Sequence, residues 1–317
     1  MALSVALLAS GCSSRPLSSA DDSFTVTRDL PYLTMDGTEL RVDAYVPVGE
    51  GPWPLVVAFH GLSSATKDAE TNTAVASAAA AQGMLVVAPS WIGGDPFPLT
   101  IEDIDRSREA STCAVAFAQE LAAENGAENG ADPSVTIAYG FSAGTEPAIL
   151  AALAPLEDSI GGCETDATPT PVTGVVLGDG EYFFHSEPFD GAFQDDVAAM
   201  QNEVRVRTDP VSWPASLDAT FSIWAAEAGT GSRSFEDPWD ESGWLAVRDP
   251  DGSIRRDLER LGRLDDGSID YVDSARLLEL RLSTGGIDVT LDEYPGGHDT
   301  LDKVPELVAA IEAAASG

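Results

Sequence analysis

Short, largely apolar runs recur along the chain, and most are followed by a longer segment of helical composition. Such runs are typical of strands buried on both faces of a sheet, and PLVVAFHG, MLVVAPS and SVTIAYG fit this pattern. Further strands are predicted at PVTGVVLGDG (171–180), at DATFSIWAAE (218–227) and, as the last strand, at IDVTLDEYP. The segments between and after these runs predict helices over 69–81, 101–124, about 143–154, 271–283 and 303–315. Strands that alternate with helices predict an α/β fold, with a mostly parallel central sheet covered by helices on both faces.

The rest of the pattern predicts one domain over residues 24–317. Before the first buried run, two antiparallel strands are predicted, joined by a turn at Asp36-Gly37. Two segments, about 181–217 and 228–269, interrupt the alternation of strands and helices. Both lie between strands of the predicted sheet, so we interpret them as excursions from a single domain rather than as separate domains.

Residues 1–23 have the pattern of an export signal followed by a tether. The apolar run MALSVALLASGC is too short to span a bilayer as a helix, and it ends at Cys12 before a serine-rich stretch. This resembles the lipobox of bacterial lipoproteins, although Ala9 stands where Leu is usual and no Lys or Arg precedes the run. The resemblance implies lipidation at Cys12 and a location on the extracellular side of the cell envelope. The alternatives are a plain secretory leader or a disordered start.

Composition narrows the possible partners of the protein. With 17 Lys and Arg against 53 Asp and Glu, the net charge is −36, which repels nucleic acids and anionic lipids. Membrane contact is therefore expected only through a lipid anchor at Cys12. No phosphate loop, dinucleotide fingerprint or Cys/His metal pattern occurs in the sequence, so no cofactor and no metal is predicted. Cys113 and Cys163 form either a disulfide or two buried thiols, and the sequence leaves both open.

The chemistry of the chain centres on GFSAG, in which Ser142 lies between a predicted strand and a predicted helix. In that context a glycine on each side of a serine indicates a tight turn that exposes the hydroxyl. A serine needs a base, and the chain has three histidines. His298 lies in a glycine-rich loop after the last strand, His60 ends a buried strand, and His185, in the first excursion, is interpreted as an ordinary histidine.

From VVAFHG through GFSAG to YPGGHD, about residues 55–315, the chain resembles the α/β-hydrolase superfamily, and within it secreted esterases of the dienelactone-hydrolase and feruloyl-esterase type. The resemblance implies an α/β-hydrolase fold and hydrolysis of a small or polymeric carboxylic ester. It makes Ser142 the nucleophile and His298 the general base. It also implies that His60 shapes the oxyanion loop and that the backbone N–H groups of Leu62 and Ala143 bind the oxyanion.

Three carboxylates compete for the acid of the triad. Asp270 is preferred, because Gly267, Asp270 and Val272 resemble the acid motif of such relatives and lie at the usual distance before His298. Glu227 is the second candidate, because it lies at the end of a predicted strand. Asp179 is the third, because some members of the superfamily carry the acid one strand earlier.

Two other classes of function remain open. A peptidase of the same fold would use the same triad, and a surface or binding protein could keep the fold without catalysis. Several aromatic side chains lie partly within the two excursions, and the sequence leaves open whether they line an apolar cleft or only pack the excursions. They are found in EYFF (181–184) and at Trp213, Trp224, Trp239 and Trp244. Neither the acyl and alcohol groups of the ester nor the oligomeric state follows from these residues.

Overall fold

The computed structural model describes ten stretches of the chain, and together they form a layered α/β domain. The described residues are 23–61, 67–91, 101–124, 130–153, 161–180, 219–226, 233–234, 268–269, 271–298 and 301–317. Residues 1–22 and most of the two excursions therefore lie outside the described residues, as do Cys12, His185, Trp213, Trp239 and Trp244. Trp224 is described and packs against the core.

Eight strands form the central sheet of the described residues. They are β1 Phe24–Met35, β2 Thr38–Pro47, β3 Trp53–Phe59, β4 Leu85–Pro89, β5 Ala131–Phe141, β6 Gly174–Gly178, β7 Thr220–Ala226 and β10 Val289–Tyr294. Their spatial order is β1-β2-β4-β3-β5-β6-β7-β10. The six neighbouring strands from β4 to β10 are parallel, while β1 and β2 pair antiparallel at one edge, so the prediction of a mostly parallel sheet is confirmed. A separate two-stranded pair joins β8 Arg233–Ser234 to β9 Ser268–Ile269.

Helices cover both faces of the sheet, as the pattern predicts. They are α1 Glu70–Ala81, α2 Ile101–Glu124, α3 Thr145–Leu153, α4 Tyr271–Thr284 and α5 Val304–Ser316. One core cluster joins α2, α3 and α4 to the sheet, and a second joins α1 and α5 to the opposite face. Successive residues of β3 alternate between the two clusters, which explains why the whole strand is apolar.

The turn between β1 and β2 is also as predicted. Asp36 and Gly37 have φ values of 49° and 78°, and Met35 pairs with Thr38 across the turn. Positive φ at both central residues matches the right-handed twist of the flanking strands. Among the described residues, no helix is long and apolar enough to cross a membrane.

Cys113 and Cys163 form a disulfide, with Cα atoms 5.8 Å apart. The bond links α2 to a short segment that pairs with β1, since Thr34 N–H donates to Gly162 O and Glu164 N–H donates to Tyr32 O, both at 2.8 Å. The disulfide therefore ties α2 to the antiparallel edge of the sheet and closes a loop of 50 residues.

Replacing both cysteines by alanine is expected to lower the free energy of unfolding by about 4 kcal/mol, because a loop of this length restricts the unfolded chain by roughly that amount. Urea unfolding of the wild type and the double variant measures the difference. Dithiothreitol should destabilise the wild type to the level of the variant and leave the variant unchanged. Equal stability of the oxidised wild type and the variant would contradict this expectation.

Candidate active site

A sharp turn between β5 and α3 carries Ser142. The strand ends at Phe141, Ser142–Gly144 form one turn of 3₁₀ helix, and α3 begins at Thr145. Ser142 has φ of 53°, in the left-handed region that only a constrained turn imposes on a side-chain-bearing residue. The turn is the one that the GFSAG pattern predicts.

The two flanking glycines are required by close backbone contacts. A Cβ atom on Gly140 would overlap the carbonyl oxygen of Gly144, and one on Gly144 would lie 2.6 Å from the carbonyl oxygen of His60. Real Cβ atoms do not approach oxygen so closely, so neither position can hold a larger residue without moving the backbone. The turn is therefore packed directly against the end of β3.

His298 lies in the loop after β10 and reaches Ser142. Its Nε2 atom is 3.0 Å from the Ser142 Oγ atom, which is hydrogen-bonding distance. The imidazole stacks on the ring of Phe141, with centroids 5.1 Å apart and planes inclined by 23°. The side chain of His298 is 28% exposed, so the imidazole remains open to solvent and substrate on one side.

Asp179 completes the chain of hydrogen bonds. It follows directly after β6 with φ of 51°, and one carboxylate oxygen, Oδ2, accepts a hydrogen bond from His298 Nδ1–H. The other oxygen accepts from the Ala226 N–H at 3.0 Å, and the Asp179 N–H donates to Trp224 O at 2.7 Å. The carboxylate is buried and fixed by the end of β7.

This geometry changes the order of preference among the three carboxylates. Asp179, the third candidate from the sequence, is the one that contacts His298. Asp270, the preferred candidate, and Glu227 lie outside the described residues. Asp179 reaches His298 because of the sheet order. Strand β6 is the immediate parallel neighbour of β5, so the carboxyl end of β6, which Asp179 follows, lies beside Ser142. The Gly-Asp-Gly sequence at 178–180, at the end of an apolar run, is the local signal that marks this position.

The oxyanion-binding residues implied by the resemblance are described only in part. Ala143 lies in the first turn after Ser142, where backbone N–H groups have no intrahelical acceptor. Leu62 lies outside the described residues, but Gly61 is described and lies close to Ser142. A Cβ atom on Gly61 would lie 3.0 Å from Ser142 Cβ.

His60 is fully buried behind the turn. Its Nδ1–H donates to Gly61 O at 2.8 Å, and its own carbonyl oxygen accepts from Trp91 Nε1–H at 2.8 Å. Burial lowers the pKa of His60 to about 4, so the ring is neutral at physiological pH. These contacts fit a residue that shapes the loop after β3.

Acid should destabilise the protein partly through His60. The unfolded imidazole takes up a proton below its ordinary pKa of about 6.5, whereas the buried ring does so only near pH 4. The contribution of His60 to the free energy of unfolding is therefore fully present above pH 6.5, and it falls by about 3 kcal/mol as the pH drops to 4. Urea unfolding of the wild type and His60→Gln between pH 7 and pH 4 measures it. We expect a steeper loss for the wild type, and parallel curves would contradict the assignment.

Metal ligands are not grouped in the part of the chain that the structure describes. No three His, Cys, Asp or Glu side chains there lie close enough together to hold an ion. The groups that converge at the carboxyl edge of the sheet are instead a hydroxyl, an imidazole and a buried carboxylate, which together can move a proton from oxygen to nitrogen.

Comparisons with known proteins agree on the fold. Neither a family model nor a curated protein sequence matches the chain. Among solved structures, esterase 2 of Thermogutta terrifontis with propionate bound is 15% identical, with 93% of each chain covered and a TM-score of 0.60. The same enzyme phosphoramylated by tabun is 16% identical, with the same coverage and TM-score. A truncated carbohydrate esterase from gut microbiota is 15% identical over 94% of this chain and 99% of that chain, with a TM-score of 0.61.

The fold is therefore the α/β-hydrolase fold, as the sequence predicts. The sheet order, the antiparallel β1 and β2 and the sharp turn after β5 are all present, and the solved neighbours cover nearly the whole chain. At this level of sequence identity, the likeness to the solved structures shows the fold alone.

Proposed function

We propose that the protein is a serine hydrolase that cleaves carboxylic esters through an acyl-enzyme, with Ser142, His298 and Asp179 as its triad. The observation that carries the proposal is the continuous chain from Ser142 Oγ through the His298 imidazole to the buried Asp179 carboxylate. The geometric roles of nucleophile, base and orienting acid are those of serine hydrolases on several unrelated folds.

Acylation follows from the direction of these hydrogen bonds. Asp179 holds the Nδ1–H tautomer of His298, which leaves the Nε2 lone pair free to accept the Ser142 proton. Ser142 Oγ then attacks the ester carbonyl, and the imidazolium that forms is stabilised by the Asp179 carboxylate. Collapse of the tetrahedral intermediate breaks the bond to the alcohol, which leaves with the proton from Nε2.

The developing oxyanion is bound by backbone N–H groups, which we assign to Ala143 and Leu62. Ala143 opens the helical turn directly after the nucleophile, and Leu62 follows Gly61, which packs against Ser142. Loss of one such donor typically costs a hundredfold or more in rate. In the second half of the reaction, water gives a proton to His298 Nε2 and attacks the acyl carbonyl. The bond from the acyl carbon to Ser142 Oγ then breaks, the acid leaves, and Oγ takes the proton back from Nε2.

Esters are favoured over amides as substrates by the structural neighbours. Esterase 2 of Thermogutta terrifontis was solved with propionate and with butyrate, and another neighbour is a carbohydrate esterase. We extend this to the present chain and propose an ester with a short acyl group as its substrate. The alternative function, a peptidase of the same fold, is supported only by the triad that the two classes share.

The same proposal includes export, with attachment through a lipid at Cys12. The disulfide between Cys113 and Cys163 supports it, because disulfides persist mainly in oxidising compartments outside the cytoplasm. The reaction would then take place on the extracellular side of the cell envelope.

A substrate panel tests the proposed reaction. We expect the wild type to hydrolyse p-nitrophenyl acetate and butyrate with kcat/KM at least a hundredfold above that for matched peptide anilides, because p-nitrophenolate is a far better leaving group than an anilide ion. Preferential anilide cleavage would favour the peptidase, and turnover of neither substrate class would favour a protein without catalysis.

A further inference from the structure

His298 is carried by a loop whose backbone is loosely packed just before it. The loop follows β10, and Gly296 and Gly297 directly precede His298. A Cβ atom on either glycine would meet no atom of the described residues within 4 Å, and Gly296 has φ of 136°. Packing of the backbone at these two residues therefore does little to hold the imidazole, and the contacts of the ring itself become important.

Hydrogen bonds at the two nitrogen atoms do not hold the imidazole throughout the proposed reaction. Nδ1–H donates to Asp179, and Nε2 lies 3.0 Å from Ser142 Oγ. The bond to Ser142 is lost on acylation, because Oγ becomes the ester oxygen of the acyl-enzyme and has no proton to donate. The ring must still pass its proton to the departing alcohol and then accept one from water. A hydrogen bond at Nδ1 alone would let the ring swing out of its plane during these steps.

Phe141 covers one face of the imidazole and can limit this swing. The two rings are stacked, with centroids 5.1 Å apart and planes inclined by 23°, a separation typical of favourable aromatic pairs. Phe141 is the last residue of β5 and is 7% exposed. Its contact with His298 does not involve Ser142 Oγ, so it can persist when that oxygen is acylated.

The ring of Phe141 is itself held between the ends of two neighbouring strands. A Cβ atom on Gly61, after β3, would lie 3.5 Å from Phe141 Cδ1, and one on Gly178, at the end of β6, would lie 3.5 Å from Cδ2. The ring also belongs to the core cluster that includes Leu307 of α5. Because Gly178 directly precedes Asp179, Phe141 is placed relative to both the nucleophile and the acid of the proposed triad.

We propose that Phe141 is a positioning residue for the general base, because its ring limits the out-of-plane motion of the His298 imidazole and keeps Nε2 directed at the reacting atoms. The inference rests on the proposed function and adds a residue outside the triad. A base must stay within hydrogen-bonding reach of the proton that it transfers, so a looser imidazole lowers the rate of the chemical steps. Substrate binding should change little, because Phe141 is buried.

Phe141→Leu is expected to lower kcat for p-nitrophenyl butyrate at least tenfold, while KM stays within about twofold, with both expressed per folded enzyme. Leucine keeps the position apolar but offers no flat face to the imidazole. Phe141→Met makes the same change with a more adaptable side chain and provides the test if Phe141→Leu does not fold. Wild-type kcat in the folded variant would overturn the proposal.

Phe24→Leu is a matched control for the loss of a buried aromatic ring. Phe24 belongs to the same core cluster as Phe141, is also 7% exposed, and lies 6.1 Å from another ring, that of Tyr45. It lies on β1, however, and three strands separate β1 from β5. We expect Phe24→Leu to lower the melting temperature but to leave kcat of the folded enzyme unchanged. Equal losses of kcat in Phe24→Leu and Phe141→Leu would overturn the proposal.

Phe141→Tyr tests whether the flat ring is the feature that matters. Tyrosine keeps an aromatic face for stacking, so kcat should remain within about threefold of the wild type. A loss of kcat as large as that of Phe141→Leu in folded Phe141→Tyr would contradict the proposed role of the ring.

Proton NMR tests the positioning role without any turnover. An imidazole N–H that donates to a buried carboxylate gives a resonance at low field, and the loss of this resonance in Asp179→Asn would assign it to His298 Nδ1–H. We expect the resonance to be sharp in the wild type and in Phe24→Leu, and to broaden in Phe141→Leu because a looser ring exchanges its proton with water faster. An unchanged resonance in Phe141→Leu would overturn the proposal. If the wild type has no ester turnover, the proposed function fails, and the resonance still decides whether Phe141 holds His298.

Discussion

Ser142→Ala is expected to abolish ester hydrolysis, with a fall in kcat of roughly a millionfold, as for nucleophiles that act as a unit with their base. Ser142 Oγ is 3.0 Å from His298 Nε2, and without this oxygen no acyl-enzyme can form. Steady-state kinetics with p-nitrophenyl butyrate measures the loss.

The fold should survive this substitution. Alanine at 142 keeps the same Cβ atom and the same backbone strain, so the melting temperature should change by no more than a few degrees. Ser134→Ala is a matched control on the same strand, where the hydroxyl donates to Asp132 Oδ1, and its kcat should equal that of the wild type. Near-normal turnover by folded Ser142→Ala would remove the serine from the mechanism.

Asp179→Asn is expected to lower kcat by about ten-thousandfold at neutral pH. The asparagine oxygen can still accept from the Ala226 N–H, so its amide NH₂ would face His298 Nδ1. That arrangement makes Nδ1 an acceptor and puts the proton on Nε2, which then cannot take the Ser142 proton. The variant should fold and still bind substrate, and the loss should appear in kcat rather than in KM.

The same experiment decides between the candidate acids. Asp270→Asn and Glu227→Gln are expected to retain kcat within about threefold of the wild type, since neither charge is needed once Asp179 orients the imidazole. If Asp270→Asn were inactive and Asp179→Asn active, the motif at 267–270 would define the acid, as the sequence alone suggests. The three substitutions are isosteric, so differences in packing do not obscure the comparison.

The arrangement of strands and helices follows from the sequence because burial on both faces dictates it. Strands such as β3 and β6 contact helices on each side and therefore have no room for polar residues. The turn at Ser142 is also encoded locally, because Gly140 and Gly144 are the residues whose side chains would collide with backbone. Both signals can be recognised from residues that are neighbours in the chain.

The acid proposed for the triad depends on long-range geometry, and the Gly-Asp-Gly sequence at 178–180 does not by itself distinguish Asp179 from the other candidates. With 53 Asp and Glu residues, a glycine-spaced aspartate such as Asp270 is easily found at a plausible distance from His298. What distinguishes Asp179 is that β6 lies beside β5 and that β7 donates a backbone N–H to the carboxylate. Both facts depend on the sheet order.

The buried ion pair that Lys67 forms with Asp43 and Asp29 escapes sequence reasoning for a similar reason. Asp29, Asp43 and Lys67 come from two strands and a loop, and a bulge with positive φ brings them together. The disulfide can be predicted in part from the sequence. If Cys12 is lipidated, only Cys113 and Cys163 remain to pair. Their proximity becomes clear only when the segment at 161–164 is seen to pair with β1.

Peptide-mapped labelling with a fluorophosphonate measures whether His298 activates Ser142. We expect a single adduct on the peptide containing Ser142 in the wild type. In His298→Ala, labelling should slow by at least a thousandfold, because no base remains to take the serine proton. An adduct on another residue, or equal labelling rates in the two proteins, would show that His298 does not activate Ser142.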